Sequence, residues 1–322
     1  MRYLSGICAI LLAALAAASP ARAQDCPAPR VLAAVDMVAQ RNGTMLVPVT
    51  IAGQQLYFSL GTASPISSIT PALVKQLGLV REHAGVTMIN TAGRDTNQIA
   101  TAPDFAIGNL KGTDVTFLVE ADGPNAPDIH ERAGTLGADF LRAYDVDLDF
   151  ATGRMRLISR DHCEGHILFW NSDIMTKVPM SVANDNKIVF PMTLDGHELQ
   201  TILSSATPAT SIRLRTAEEL YDVKNDTQGN EPAGALNGIP LYAHRFAKLD
   251  AGGLAVSNPR IVMLPDLVEE DARHLHPLAR NTFGRPHLPD LMLGMSTLRQ
   301  LHLYIAYADR ALYISPASMP PR

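Results

Sequence analysis

Two loops of small residues hold the groups on which chemistry in this chain would turn: Gly61-Thr62-Ala63-Ser64 and Ser204-Ser205-Ala206-Thr207. Each follows an apolar stretch and precedes a proline, Pro65 or Pro208. Their functional groups are hydroxyls. A serine hydroxyl becomes a nucleophile only with a base beside it, and the chain shows no G-x-S-x-G turn and no identifiable His and Asp partners. Ser204 and Ser205 are therefore read as structural hydroxyls. Two other clusters invite a metal reading: Asp161-His162-Cys163-Glu164-Gly165-His166, and His274-Leu275-His276 with His287. Neither completes a ligand set. The first reads as loop rather than helix and the second as a His-rich surface loop, so no metal site and no cofactor is expected.

The elements that must carry the two loops are legible because the chain is duplicated. Residues 48–69 (PVTIAGQQLYFSLGTASPISSI) align without a gap on 191–212 (PMTLDGHELQTILSSATPATSI), at an offset of 143. Gly53 falls on Gly196, Leu60 on Leu203, Pro65 on Pro208 and Ile69 on Ile212. Each copy predicts a β-hairpin that turns at Ala52-Gly53 or Asp195-Gly196 and ends in the small-residue loop. A second block, 134–158, matches 291–314 at an offset of 157, with Gly137 on Gly294, Leu141 on Leu298 and Leu148 on Ile305. It predicts a short helix and a two-strand meander in each half. The extra residues of the second half lie mostly within 265–290, where charge, Pro and His cluster as in a surface loop.

A strand, a loop of D-T-G-A-x-x-S-x-I type, and later an L-G-x-D-x-L helix followed by strands resemble the retropepsin-like and pepsin-like aspartic peptidases. The resemblance spans nearly all of residues 44–315 and takes the tandem, two-lobed form. It implies an all-β molecule of two β-barrel lobes with short helices, related by pseudo-twofold symmetry, with one loop from each lobe meeting at the axis of a cleft. It also implies a departure. Where the family carries its catalytic aspartates, this chain has Gly61 and Ser204, so the carboxylate pair that shares a proton and activates water is absent. The family's bracing threonine is kept as Thr62 and Ser205, while Ala63 and Ala206 replace glycine. Asp139, in Leu136-Gly137-Ala138-Asp139, is the one motif carboxylate retained; the resemblance gives it a structural role, and its counterpart is Ser296. The flaps of the family correspond to 86–97 and 229–240, both read as polar, Gly-containing and poor in apolar residues.

Composition fits this reading. Hydrophobic residues make up 47% of the 322, enough for two cores. Residues 1–23, with Arg2, an apolar run from Ile7 to Ala18 and Ala21-Arg22-Ala23, read as a cleaved signal peptide and imply a periplasmic or secreted protein. The run is too short for a comfortable membrane span, and no integral insertion is expected. Without the leader 25 basic residues face 32 acidic ones, which argues against nucleic acid as a partner. Cys26 and Cys163 are the cysteines left after cleavage, and a disulfide between them is expected in an oxidising compartment. The organisation read from the sequence is an N-terminal extension (24–43), a first lobe (44–160), a linker (161–186) and a second lobe (187–316). The function it suggests is a catalytically inactive homologue that binds a peptide or protein segment in the inter-lobe cleft. The alternatives are an active aspartic-type endopeptidase or other hydrolase with an atypical site, and a structural accessory whose cleft is closed.

Overall fold

The computed structural model describes residues 27–89, 95–122, 128–167, 174–236, 238–265 and 289–317. Alternating burial builds the two equivalent hairpins. In the strand Met45–Ile51, Val47, Val49 and Ile51 enter the core. It pairs with Gln54–Gly61 from Leu46↔Ser59 to Ile51↔Gln54. The connecting Ala52 and Gly53 have φ of 51° and 71°, the doubly positive turn whose twist matches paired strands. Ile188–Leu194 and His197–Leu203 repeat the arrangement through Asp195 and Gly196, with φ of 44° and 91°. The Asp195 carboxylate offsets the cost of its left-handed backbone by accepting from the amides of Ala247 and Lys248.

Each small-residue loop leaves the second strand of its hairpin and is held by a strand inserted from later in the chain. Gly134–Gly137 runs parallel to Gln54–Gly61 and antiparallel to Ser68–Ile69. Leu291–Leu293 does the same between His197–Leu203 and Ser211–Arg213. The backbone before and after each loop is thus separated by one strand, and the loop spans that gap. A helix follows each loop. Pro71–Leu77 starts at Thr70, whose hydroxyl accepts from the Leu73 amide, and stops at Gly78 in the left-handed conformation. Leu214–Tyr221 is its counterpart.

The repeated meanders do not complete their own lobes. They meet in a third sheet of six strands, in the order Val31–Asp36, Arg154–Ile158, Asp145–Asp149, Leu301–Ala306, Ala311–Pro316 and Thr176–Pro179. Its centre locates the symmetry axis. The offset of 157 equates Asp147 with Tyr304, and these two are opposite each other in the sheet, flanked by Val146↔Ile305 and Leu148↔Leu303. Val146, Leu148, Leu303 and Ile305 join one apolar core that runs through both lobes. The result is the expected all-β fold of two barrel-like lobes, an eight-stranded and a ten-stranded sheet, joined by a shared sheet that local periodicity had not announced.

Candidate functional site

At the axis the two loops are locked together by four reciprocal hydrogen bonds. Thr62 Oγ1 donates to the Leu203 carbonyl at 2.9 Å and accepts from the Ser205 amide at 3.0 Å. Ser205 Oγ donates to the Leu60 carbonyl at 2.6 Å and accepts from the Thr62 amide at 3.1 Å. Exchange of the halves maps each bond onto its counterpart. Thr62 and Ser205 are fully buried, so every donor and acceptor in the set is satisfied without water. The brace expected at these two positions is therefore present, and it places Gly61 and Ser204, one residue earlier, on either side of the axis.

The positions beside the brace are not symmetric. Ser204 Oγ is 2.6 Å from Thr207 Oγ1, and that hydroxyl donates to the Met292 sulfur at 3.4 Å. Gly61 has no room for a side chain. A Cβ built there would lie 2.5 Å from Ser64 Oγ, 2.9 Å from Ser64 Cβ and 2.7 Å from Thr135 Cγ2. Simple reinstatement of an acid at both positions is therefore blocked in the first lobe, where the neighbouring residues have closed over the vacant place. Ala63 and Ala206 follow the bracing residues in each loop. The side chains of 61–64 and 204–207 bring hydroxyls and methyl groups to the axis and no group that titrates near neutrality. Such an arrangement can hold backbone amides and carbonyls, and it has no base to take a proton from water.

Asp139 is where the sequence reading put it in function, as a structural carboxylate. Its Oδ1 accepts from the Ser67 amide and hydroxyl at 2.8 and 2.7 Å, and Ser67 Oγ accepts from the Gly137 amide. In the other half Ser296 Oγ accepts from the Thr210 amide at 2.9 Å, and Thr210 Oγ1 accepts from the Gly294 amide. The same joint is made with a hydroxyl in place of the carboxylate. Ser64, Thr135 and Thr207 were not singled out as site residues. Thr135 lies 74 positions from Gly61 in sequence, and nothing local signals that the two touch.

His162 does not present free ligand atoms: Nε2 is 2.8 Å from Asp145 Oδ2 and Nδ1 is 3.0 Å from the Cys163 carbonyl. Among the described residues no group of three or more His, Cys, Asp or Glu side chains is arranged for a metal. His274, His276 and His287 lie outside the described residues, as does Cys26. In the flap positions, the hairpin Arg81–Ile89 with Asp95–Ile107 has side chains 86–95 outside the description. The second-half hairpin departs from the polar reading. Leu236 and Ile239 face each other across its tip, 39% and 38% exposed. No helix among the described residues is long and apolar enough to cross a membrane.

A pair of topologically equivalent β lobes, braced at the axis by reciprocal hydroxyl bonds and joined by a six-stranded sheet, is an aspartic-peptidase-like architecture. Comparison with known proteins agrees. Residues 47–140 match the aspartyl protease family. Over the whole chain the structure is similar to the crystal structure of Basic 7S globulin from soybean, with a TM-score of 0.51 and 10% sequence identity, covering 90% of this chain and 96% of that one. No curated protein matches the chain by sequence.

Proposed function

We propose that this chain is an exported, aspartic-peptidase-like binding protein without peptidase chemistry, taking a peptide or protein segment along the cleft between its lobes. One observation carries the reading: the Thr62/Ser205 brace is intact while the flanking positions are Gly61 and Ser204, and the place beside Gly61 is occupied by Ser64 and Thr135. Activation of water in this family's manner needs two carboxylates sharing a proton. The hydrogen bonds of Ser204 go to a hydroxyl and to backbone groups, none of them a base. Binding by backbone pairing is supported by the flap hairpins, whose outer strands, Arg81–Ile89 and Glu231–Leu236, form the edges of their sheets. Leu236 and Ile239 add an apolar contact at one tip.

The leader at 1–23 assigns the protein to the periplasm or the exterior, and Cys26 with Cys163 forms the disulfide that this compartment permits. Closing a loop of more than a hundred residues, the bond should contribute about 2–4 kcal/mol. Thiol alkylation of the unreduced, denatured protein should find no free cysteine; two reactive thiols would contradict the pairing. For binding, the mature protein is incubated with a diverse peptide library and scored for both retention and cleavage. Retention of intact peptides supports the proposal. Cleavage that survives Ser204→Ala, or failure to retain any peptide, would overturn it.

A further inference from the structure

The pseudo-twofold supplies an internal control at one buried position. Ser68 and Ser211 are equivalent, and each stands directly opposite the inserted strand of its half, Ser68 against Thr135 and Ser211 against Met292. Residues opposed in this way project to the same face of the sheet. In the first half that face is filled by charge. Ser68 Oγ donates to Glu120 Oε1 at 2.8 Å, and Arg132 clasps both oxygens of Glu120 at 2.6 and 2.7 Å while donating to Thr135 Oγ1 at 3.2 Å. In the second half the register puts Leu264 in the place of Glu120, and the offset of 157 puts Pro289 in the place of Arg132. Ser211 is kept although these partners are gone. It is 3% exposed, and its hydroxyl has no hydrogen-bond partner among the described residues. A buried hydroxyl in this state costs free energy, which an acceptor placed beside it would recover.

The atom that can become such an acceptor is the Met292 sulfur. Met292 is partly exposed between two fully buried residues, Leu291 and Leu293. Its Sδ accepts from Thr207 Oγ1 at 3.4 Å, and Thr207 in turn accepts from Ser204 Oγ at 2.6 Å. We propose that Met292 is an oxidative modification site, at which a peroxide makes the sulfoxide and the hydroxyls of Thr207 and Ser211 receive its oxygen. The sulfur lone pair attacks one oxygen of hydrogen peroxide, and an S–O bond forms as the O–O bond breaks. The displaced hydroxide takes the proton of the transferred oxygen and leaves as water; sulfur loses two electrons and the peroxide gains them. A thioether accepts hydrogen bonds weakly, whereas a sulfoxide is polar and disrupts an apolar core that has no donor for it. Here two hydroxyl donors share its face of the sheet, and one of them is unused. Oxidation draws Ser211 into the network that runs through Thr207 to Ser204 at the axis. The first half, with Thr135 at the equivalent place, has no atom there to oxidise.

The test exposes the folded mature protein to graded hydrogen peroxide, maps sulfoxides by mass spectrometry of its peptides and follows urea unfolding. Met292 should be oxidised at doses that oxidise Met175, which is 38% exposed, while the buried Met263 and Met295 stay thioethers. Before peroxide, Ser211→Ala should be at least as stable as the wild type, because it removes an unpaired hydroxyl. After peroxide, its unfolding constant should exceed that of the oxidised wild type by about fivefold, as expected for loss of one hydrogen bond. Met292→Leu, a swap that nearly conserves volume, controls for oxidation elsewhere. In that background Ser211→Ala should have the same effect before and after peroxide. A Met292 thioether that survives complete oxidation of Met175 would overturn the proposal. So would a Ser211→Ala effect that peroxide leaves unchanged when Met292 is present, or one that peroxide changes as much in the Met292→Leu background.

Discussion

Gly61 is confined by two side chains, Ser64 through Oγ and Cβ and Thr135 through Cγ2. Rotation can move the hydroxyl and the methyl group, but Ser64 Cβ moves only with the loop backbone. Gly61→Ala should therefore cost about 1–3 kcal/mol, the usual price of overpacking a filled site. Adding Ser64→Gly and Thr135→Ser should recover most of it in urea unfolding, whereas a neutral Gly61→Ala would show that the loop yields freely. An aspartate pair at 61 and 204 would need the same relief before its acid chemistry could be tried. The brace makes a second residue-level prediction. Thr62→Val and Ser205→Ala each remove two buried bonds and leave an amide and a carbonyl of the other loop unpaired, a loss of roughly 1–3 kcal/mol apiece. Because the four bonds act as one set, the double variant should lose less than the two singles added; strict additivity would argue that the loops are held independently.

At the scale of elements, the strand Asp145–Asp149 alternates two chemistries. Val146 and Leu148 face the common core, while Asp145 and Asp147 on the other face are buried against His162, His302 and Arg156. The Cys163 carbonyl can only accept, so His162 carries hydrogen on Nδ1 and shares a further proton with Asp145 through Nε2. Burial alone would lower the His162 pKa, but the bonds to Cys163 and Asp145 and the carboxylate charge raise it above its ordinary value. Burial is also the main influence on Asp145 and raises its carboxyl, against the lowering effect of His162. Both shifts mean that the folded protein holds its protons more tightly than the unfolded chain. The stabilisation is then full below the unfolded carboxyl and imidazole values, about 4 and 6.5, and is lost as pH rises through the folded ones. Thermal unfolding of the wild type should show the Asp145 contribution declining from about pH 4 and that of His162 from about pH 6.5 upward, and His162→Gln should flatten the decline above about 6.5. An unchanged slope in the variant would remove His162 as its source.

For the whole molecule, the shared sheet makes the halves interdependent. A chain of 27–167 alone would expose the edge of Asp145–Asp149 that normally pairs with Leu301–Ala306. Self-pairing about the same axis would set Asp147 against Asp147, like charges directly opposite, with His302 gone. The second half, 174–317, would instead set Tyr304 against Tyr304. Size-exclusion chromatography with light scattering should find the second half associating as a dimer more readily than the first, with neither persisting as a folded monomer. Stable monomers of both halves would show that the shared sheet contributes little.

The resemblance to the aspartic peptidases implied the brace and the absent acids, whereas the duplication, the two hairpins and the loops at 61–64 and 204–207 are readable from residue order. Each rests on local constraints: alternation that buries one strand face, turn residues that accept positive φ, and small residues at fixed spacing from an apolar strand. Periodicity says which face of a strand is buried and leaves open which strand lies beside it. Tertiary structure alone therefore decided that the meanders leave their own lobes to share a sheet, and that Asp147 meets Tyr304 at the axis. It also decided that Thr135 and Ser64 close the space at Gly61 and that His162 serves Asp145. Those are contacts between residues distant in the chain, formed where packing of the two halves brings them together, and no local pattern encodes them.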